Sequence, residues 1–203
     1  MILEKDGLTL EMLRDLSYKT SLEISLKKNL HYFEYELLMK DIGKYIDYLD
    51  DKETLRNIKM DYRIKSIQSV EYKYKRYYPD HQMRKVFNDI LGFRGLCDNY
   101  DEVMELKEFE NIRFADLTSG KSGDDGYRGI HVYYQLDNSY YPIEVQYNTF
   151  YDRQLNNWLH KYVYKKDNCS LDVGRVMREY YEEGRIKTEY EFKEVLCHVL
   201  SNS

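Results

Sequence analysis

The stretch 124-DDGYRGIHVYYQLDNSYYPIEVQYN-148 decides how this chain folds. It holds two runs rich in β-branched and aromatic residues, Gly129–Leu136 and Tyr140–Tyr147, separated by Asp137-Asn138-Ser139. That pattern predicts two strands joined by a short hairpin turn. The second run carries Glu144 between Ile143 and Val145. A carboxylate among apolar strand neighbours costs free energy unless it is paired or bound to a metal. Glu144 is therefore a candidate for chemistry, and the hairpin is the place to build outward from.

On its C-terminal side, Tyr151 to Tyr164 reads as a helix with Leu155, Trp158, Leu159 and Tyr162 on one face. Two more helices are expected over Val173–Glu183 and Thr188–Leu200. On the N-terminal side, Ile112–Leu117, Asp89–Cys97 and Ile58–Ile64 read as strands, and Glu102–Phe109 as a helix. Ser66 is a good N-cap for a helix running to about Tyr78, which Pro79 ends, and a short helix follows through Val86. From Leu8 to about Leu55 the spacing is helical: after a break near Thr20, Leu22, Leu26, Leu30, Phe33, Leu37 and Leu38 recur every three to four residues. The expectation is an α/β (α+β) fold, a mixed sheet of about five strands flanked by helices. It forms a single domain over residues 1–203, with N-terminal helices at 1–57, a core at 58–165 and C-terminal helices at 166–203.

The chain is 42% hydrophobic and 33% charged, which places it among globular proteins rather than disordered ones. No apolar run approaches a membrane span, and the opening MILEKDG lacks a signal-peptide pattern. A cytoplasmic protein without a membrane partner is expected. Cys97, Cys169 and Cys197 are widely spaced and read as reduced thiols. A net charge of −5 argues against non-specific coating of nucleic acid but leaves room for a local basic patch. With 23 tyrosines against 7 phenylalanines, many rings carry a hydroxyl; most are expected to be packing.

Three groups of residues suit chemistry. In 63-RIKSIQSVEYKYKR-76, Ser69, Lys73 and Tyr77 share a helix face, with Arg63 and Lys65 just upstream. Cationic heads beside a helix N-terminus favour a polyphosphate; a solvated lysine-rich helix is the alternative. In 88-NDILGFRGL-96, Asp89 opens a strand that Arg94 interrupts. Asp89 and Glu144, on separate strands of one sheet, could share a Mg²⁺ whose other ligands come from water and phosphate. In Gly126-Tyr127-Arg128-Gly129, Tyr127 stands at a strand mouth, where a ring can stack on a base or merely fill a turn.

Together these segments, with 143-IEVQYNT-149 and 158-WLHKYVYK-165, resemble the RelA/SpoT-type synthetase domain over about Arg63 to Lys165. The chain looks like the single-domain branch of small alarmone synthetases and related toxins, with no hydrolase domain expected upstream. The resemblance implies a nucleotidyltransferase-like fold that moves the β,γ-pyrophosphate of ATP to a ribose 3′-hydroxyl and releases AMP, using Mg²⁺. It implies that Arg63, Lys65, Ser69 and Lys73 hold ATP phosphates and that Arg94 lies on the adenine side. Asp89 and Glu144 would bind the metal, with Glu144 also taking the hydroxyl proton. Tyr127 would stack on the acceptor base, and His131, Gln146 and His160 would line the acceptor pocket.

The departures lie on the acceptor side. Alarmone synthetases usually carry an arginine where this chain has Asn148, Glu-His where it has Leu159-His160, and a serine where it has Gly129. The toxin branch is more similar, and one of its groups pyrophosphorylates the 3′ CCA end of tRNA. That implies tRNA as acceptor, blocked aminoacylation and translation, and an antitoxin partner. Lys27 and Lys28 in the N-terminal helical region, and Arg113, are candidates for tRNA contact, with a solvated face as the alternative for the lysines. The alternatives are a (p)ppGpp synthetase acting on GDP or GTP, and a catalytically silent nucleotide-binding protein.

Overall fold

The computed structural model describes residues 1–164 and 171–201. The expected end of the core at Lys165, and Cys169, lie outside the described residues. Five strands form: β1 (Asp61–Ile64), β2 (Leu91–Cys97), β3 (Ile112–Asp116), β4 (Ile130–Tyr134) and β5 (Ile143–Thr149). They make one mixed sheet in the order β1-β2-β5-β4-β3, an α+β fold flanked by helices as expected. β5 is central, and its side chains are buried on both faces apart from Gln146 and Thr149. Its sequence still alternates, with apolar Ile143, Val145 and Tyr147 on one face and polar Glu144, Gln146 and Asn148 on the other, so the second face buries polar groups that need partners. β2 and β4 alternate buried with more exposed residues, as strands with one dry face do.

The chain divides into two compact units. The first comprises Met1–Gly95, Asp101–Phe114 and His131–Gln146, and the second Leu96–Tyr100, Ala115–Ile130 and Tyr147–Ser203.

In the first unit the helices are α1 (Ile2–Lys5), α2 (Leu10–Asp15), α3 (Tyr35–Asp50), α4 (Glu53–Asn57), α5 (Ile67–Tyr77), α6 (Met83–Val86) and α7 (Asp101–Met104). A 3₁₀ turn over Glu105–Glu108 completes the expected Glu102–Phe109 helix. Ser66 caps α5 as expected, its hydroxyl accepting from the Ser69 N–H at 3.4 Å. β1 pairs antiparallel with β2, with Arg63 opposite Gly92 and Asp61 opposite Arg94.

The Leu22–Leu38 periodicity does not make a helix before Tyr35. Residues 21–34 are irregular, apart from a 3₁₀ turn at Leu30–Tyr32. Their backbone bonds go to distant segments instead: Leu26 N–H to Asn138, Leu30 N–H to His81, and Met83 and Arg84 N–H back to Lys28 and Leu26. Buried Asp41 draws the segment in. Its carboxylate accepts from Thr20 Oγ1 (2.7 Å), the Ser21 hydroxyl (2.7 Å) and N–H (3.0 Å), and the Tyr141 hydroxyl (2.8 Å). Ser and Thr side chains that bond elsewhere compete with helix. Leu26 and Leu30 are buried as loop anchors rather than as a helical stripe. Lys27 and Lys28 therefore sit on an exposed loop, not a helix. Nearby, Tyr18, Tyr45 and Tyr141 stack at 5.1 and 5.2 Å, so this part of the tyrosine excess is packing.

In the second unit, α8 (Phe150–Tyr162), α9 (Leu171–Glu182) and α10 (Glu189–Ser201) enclose a core of Leu155, Trp158, Leu159, Met177, Phe192 and Leu196. Each such side chain contributes about 1.5–3 kcal/mol on burial. The expected apolar face of α8 is this contact. β5 runs two residues past its expected end, to Thr149, whose hydroxyl caps α8 by accepting from the Asp152 N–H at 3.1 Å. Among the described residues no helix is long and apolar enough to cross a membrane.

Candidate active site

The pleat of the sheet brings the first unit's chemistry together. Arg63 and Gly92 are direct cross-strand partners, and Arg94 lies two residues along β2, so the two arginines share a face. Glu144 on β5 projects to the same face: a Cβ on Gly92 would stand 3.6 Å from its Oε2. A cleft of about 170 Å³ opens here, lined by Arg63, Asp89, Gly92, Arg94, Glu144 and Gln146. On the opposite face Tyr62 packs on buried Phe93, with ring centroids 6.0 Å apart.

Asp89 lies two residues before β2, in the turn after α6, not at the strand start. Its Oδ1 accepts from Lys73 Nζ at 2.9 Å and its Oδ2 from Lys65 Nζ. Lys73 also donates to the Val86 carbonyl at 3.1 Å. Burial pushes the Asp89 pKa up, but Lys73 and Lys65 together outweigh it and hold the carboxyl below its ordinary value. Lys65 is itself 5% exposed, so each charge of this pair depends on the other. Ser69 is exposed on the first turn of α5, its hydroxyl 3.0 Å from that of Ser66. Arg63 and Arg94 are exposed, and their guanidiniums make no hydrogen bond or ion pair among the described residues.

Glu144 is 6% exposed. Its Oε1 lies 3.0 Å from His131 Nδ1, and its Oε2 accepts from Gln146 Nε2 at 2.7 Å. The Tyr133 hydroxyl lies 3.3 Å from the same histidine nitrogen. Among the described residues no three His, Cys, Asp or Glu side chains converge as a metal cluster. Each oxygen of Asp89 and Glu144 has one protein partner and keeps a second lone pair. Hard oxygen donors with spare capacity, beside unpaired guanidiniums, fit a Mg²⁺ that takes its remaining ligands from phosphate and water.

The family profile described as "Region found in RelA / SpoT proteins" matches residues 62–169. The chain belongs to the RelA/SpoT family. It is accordingly an ATP-dependent pyrophosphokinase. No curated protein sequence matches it. Among solved structures, this RelA/SpoT chain is similar to small alarmone synthetase 2 from Bacillus subtilis, at 20% identity over 83% of this chain and 100% of that one, with a TM-score of 0.46. It is also similar to small alarmone synthetase 1 from the same organism, bound to its product pppGpp, at 20% identity over 82% and 90%, TM-score 0.45. A GTP pyrophosphokinase family protein from Streptococcus pneumoniae matches at 20% over 75% and 93%, TM-score 0.45.

In the second unit of this RelA/SpoT protein, Tyr127 sits three residues before β4 in a loop held throughout. Arg128 forms a bidentate pair with Asp124 at 2.7 and 2.9 Å; that bond, against some burial, lowers the Asp124 pKa. The half-buried Tyr127 ring has Lys121 Nζ 5.3 Å from its centroid. Asn148 Nδ2 donates to the Arg128 carbonyl at 2.8 Å and to the Tyr127 hydroxyl at 3.4 Å. A Cβ on Gly129 would collide with Asn148 Nδ2 and lie 3.0 Å from the Tyr127 hydroxyl. His160 stands on the exposed side of α8. Back in the first unit, Arg113 lies in β3 and donates to Gln135 Oε1 at 3.1 Å. Its guanidinium is 5.9 Å from the Tyr133 ring centroid. Lys28 Nζ lies 5.2 Å from the Tyr32 ring centroid.

Sequence reading missed Arg178, Asp152 and Asn156, which organise this loop. Nothing in the sequence marks them: each is one polar residue in an amphipathic helix, with mixed polar and apolar neighbours.

Proposed function

We propose that this RelA/SpoT pyrophosphokinase transfers the β,γ-pyrophosphate of ATP to the terminal 3′-hydroxyl of a tRNA acceptor end. Donor chemistry is assigned to the first unit's cleft, and the observation that carries it is Glu144, buried at the centre of the sheet beside a cationic rim. Arg63, Lys65, Ser69 and Lys73 bind the donor phosphates, and Arg94 flanks the adenine. The acceptor 3′-oxygen attacks the β-phosphorus. The bond from that phosphorus to the oxygen bridging the α-phosphate breaks, and AMP leaves with that oxygen. The hydroxyl proton passes to Glu144, which His131 and Gln146 keep oriented. Mg²⁺ held by Asp89 and Glu144 would supply charge neutralisation on the phosphate chain. Asp89 is kept ionised for this by its two lysines.

The acceptor reading rests on Gly129 and Asn148, two departures from the alarmone pattern. Asn148 Nδ2 occupies the space a side chain at 129 would need, so the two changes go together and rebuild the surroundings of Tyr127. Tyr127 then stacks on the terminal base, His131, Gln146 and His160 line the acceptor side, and Lys27, Lys28 and Arg113 contact phosphates further along the tRNA. Blocking the tRNA end stops aminoacylation and translation, the activity of a toxin that an antitoxin protein would restrain in the cytoplasm. The test is incubation with γ-labelled ATP and Mg²⁺, with deacylated tRNA in one reaction and GDP plus GTP in another. Label on tRNA supports the reading. Label on guanine nucleotides alone makes the protein a (p)ppGpp synthetase.

A further inference from the structure

We propose that α9 is a working part of the acceptor loop, with Arg178 as the positioning residue that fixes Tyr127. This rests on the reading of Tyr127 as the acceptor platform. All four carbonyls from Asp125 to Arg128 have donors. The Tyr164 hydroxyl binds that of Asp125 (2.7 Å), Arg178 Nε that of Gly126 (2.8 Å), and Arg128 Nη1 that of Tyr127 (3.0 Å). Asn156 Nδ2 and Asn148 Nδ2 bind that of Arg128 at 2.7 and 2.8 Å. The N–H groups of Gly126, Tyr127 and Arg128 are taken by Asp124, Asp125 and Asn156. Such saturation is unusual for a surface turn, where water commonly serves the backbone.

Arg178 links this turn to two helices. Beyond Gly126 it donates Nη1 to Asp152 Oδ1 at 2.7 Å and Nη2 to Asn156 Oδ1 at 3.2 Å, and it is 1% exposed. An apolar residue would fill that space at lower desolvation cost, so packing alone does not explain a buried guanidinium. Its planar fork is what reaches three acceptors at once. Gly174, one turn earlier on the same face of α9, makes an independent contact. A Cβ there would collide with the Asp125 carbonyl, and one on Gly126 (φ +84) with the Gly174 carbonyl. Backbone lies on backbone, so α9 and the turn are held in a single arrangement. A base-stacking ring fixed in advance binds its acceptor without an ordering cost at the moment of binding.

The test compares Arg178→Met, Arg178→Lys and Asn156→Ala with Tyr127→Ala in the full chain, using the acceptor the wild type uses, deacylated tRNA or GDP. Readouts are acceptor KM, ATP KM, and hydrogen exchange of the 124–128 segment. The expected result is faster exchange and an acceptor KM raised roughly tenfold or more in Arg178→Met, with ATP KM unchanged. Arg178→Lys should restore part of the effect. If Arg178→Met does not fold, Asn156→Ala, which strands no buried charge, must show the same split. Unchanged exchange, or an unchanged or equally raised KM for both substrates while Tyr127→Ala raises acceptor KM alone, overturns the role of α9. If Tyr127→Ala itself leaves acceptor KM unchanged, the platform reading fails and the proposal falls with it.

Discussion

The cleft of the first unit and the Tyr127 loop of the second spend their polar groups in opposite ways. In the cleft, the guanidiniums of Arg63 and Arg94 have no partner among the described residues, and the oxygens of Asp89 and Glu144 each keep a lone pair. In the loop every backbone group from Gly126 to Arg128 is bonded. Unused capacity belongs where charge must be met during a reaction. Saturated bonding belongs where a surface must be presented without moving. On the proposed function, chemistry falls to the cleft and recognition to the loop.

The hardest blow to the comparison would be a mild Glu144→Gln phenotype. The amide keeps the shape and cannot take a proton, so kcat should fall by about 10²–10⁴-fold, read as AMP release at saturating substrates. Next comes Arg178→Met, which leaves Asp152 short of its buried cation partner and should cost about 3–5 kcal/mol in denaturant unfolding. Tyr127→Ala should raise acceptor KM by roughly 5–150-fold, the equivalent of about 1–3 kcal/mol of lost stacking, with kcat little changed. Replacing Lys27 and Lys28 with Ala should spare GDP and weaken tRNA, lowering the salt slope of tRNA affinity by about 1 per lysine if each meets a phosphate. The smallest effect concerns pH. Because the Asp89 pKa is held below its ordinary 3.8, its stabilising contribution is complete above that value and is lost as pH falls through the folded pKa. The wild-type Tm should therefore fall more steeply than that of Asp89→Asn below about pH 4.

The sheet and the buried position of Glu144 were legible because their signals are local. Glu144 between two apolar strand residues, Ser66 before α5, and the turn at Asp137–Ser139 each state their structure within a few positions. The segment before Tyr35 misled because leucines at helical spacing also anchor a loop, and the deciding partner, Asp41, binds across from the next helix. Asp89 was placed in the strand because its apolar successors begin at once, whereas pairing starts only at Leu91. Arg178 and Gly174 could not be read at all. In sequence they are one arginine and one glycine in an amphipathic helix, and their meaning comes from a loop some fifty residues earlier.

The most direct measurement is a pair of initial-rate curves of AMP release against acceptor concentration, for Glu144→Gln and for Tyr127→Ala, beside the wild type. The account predicts that Glu144→Gln stays near zero at every acceptor concentration, while Tyr127→Ala climbs to nearly the wild-type plateau at much higher acceptor. A normal plateau for Glu144→Gln, or a plateau lost equally in both, would contradict the division of chemistry and recognition between the two regions.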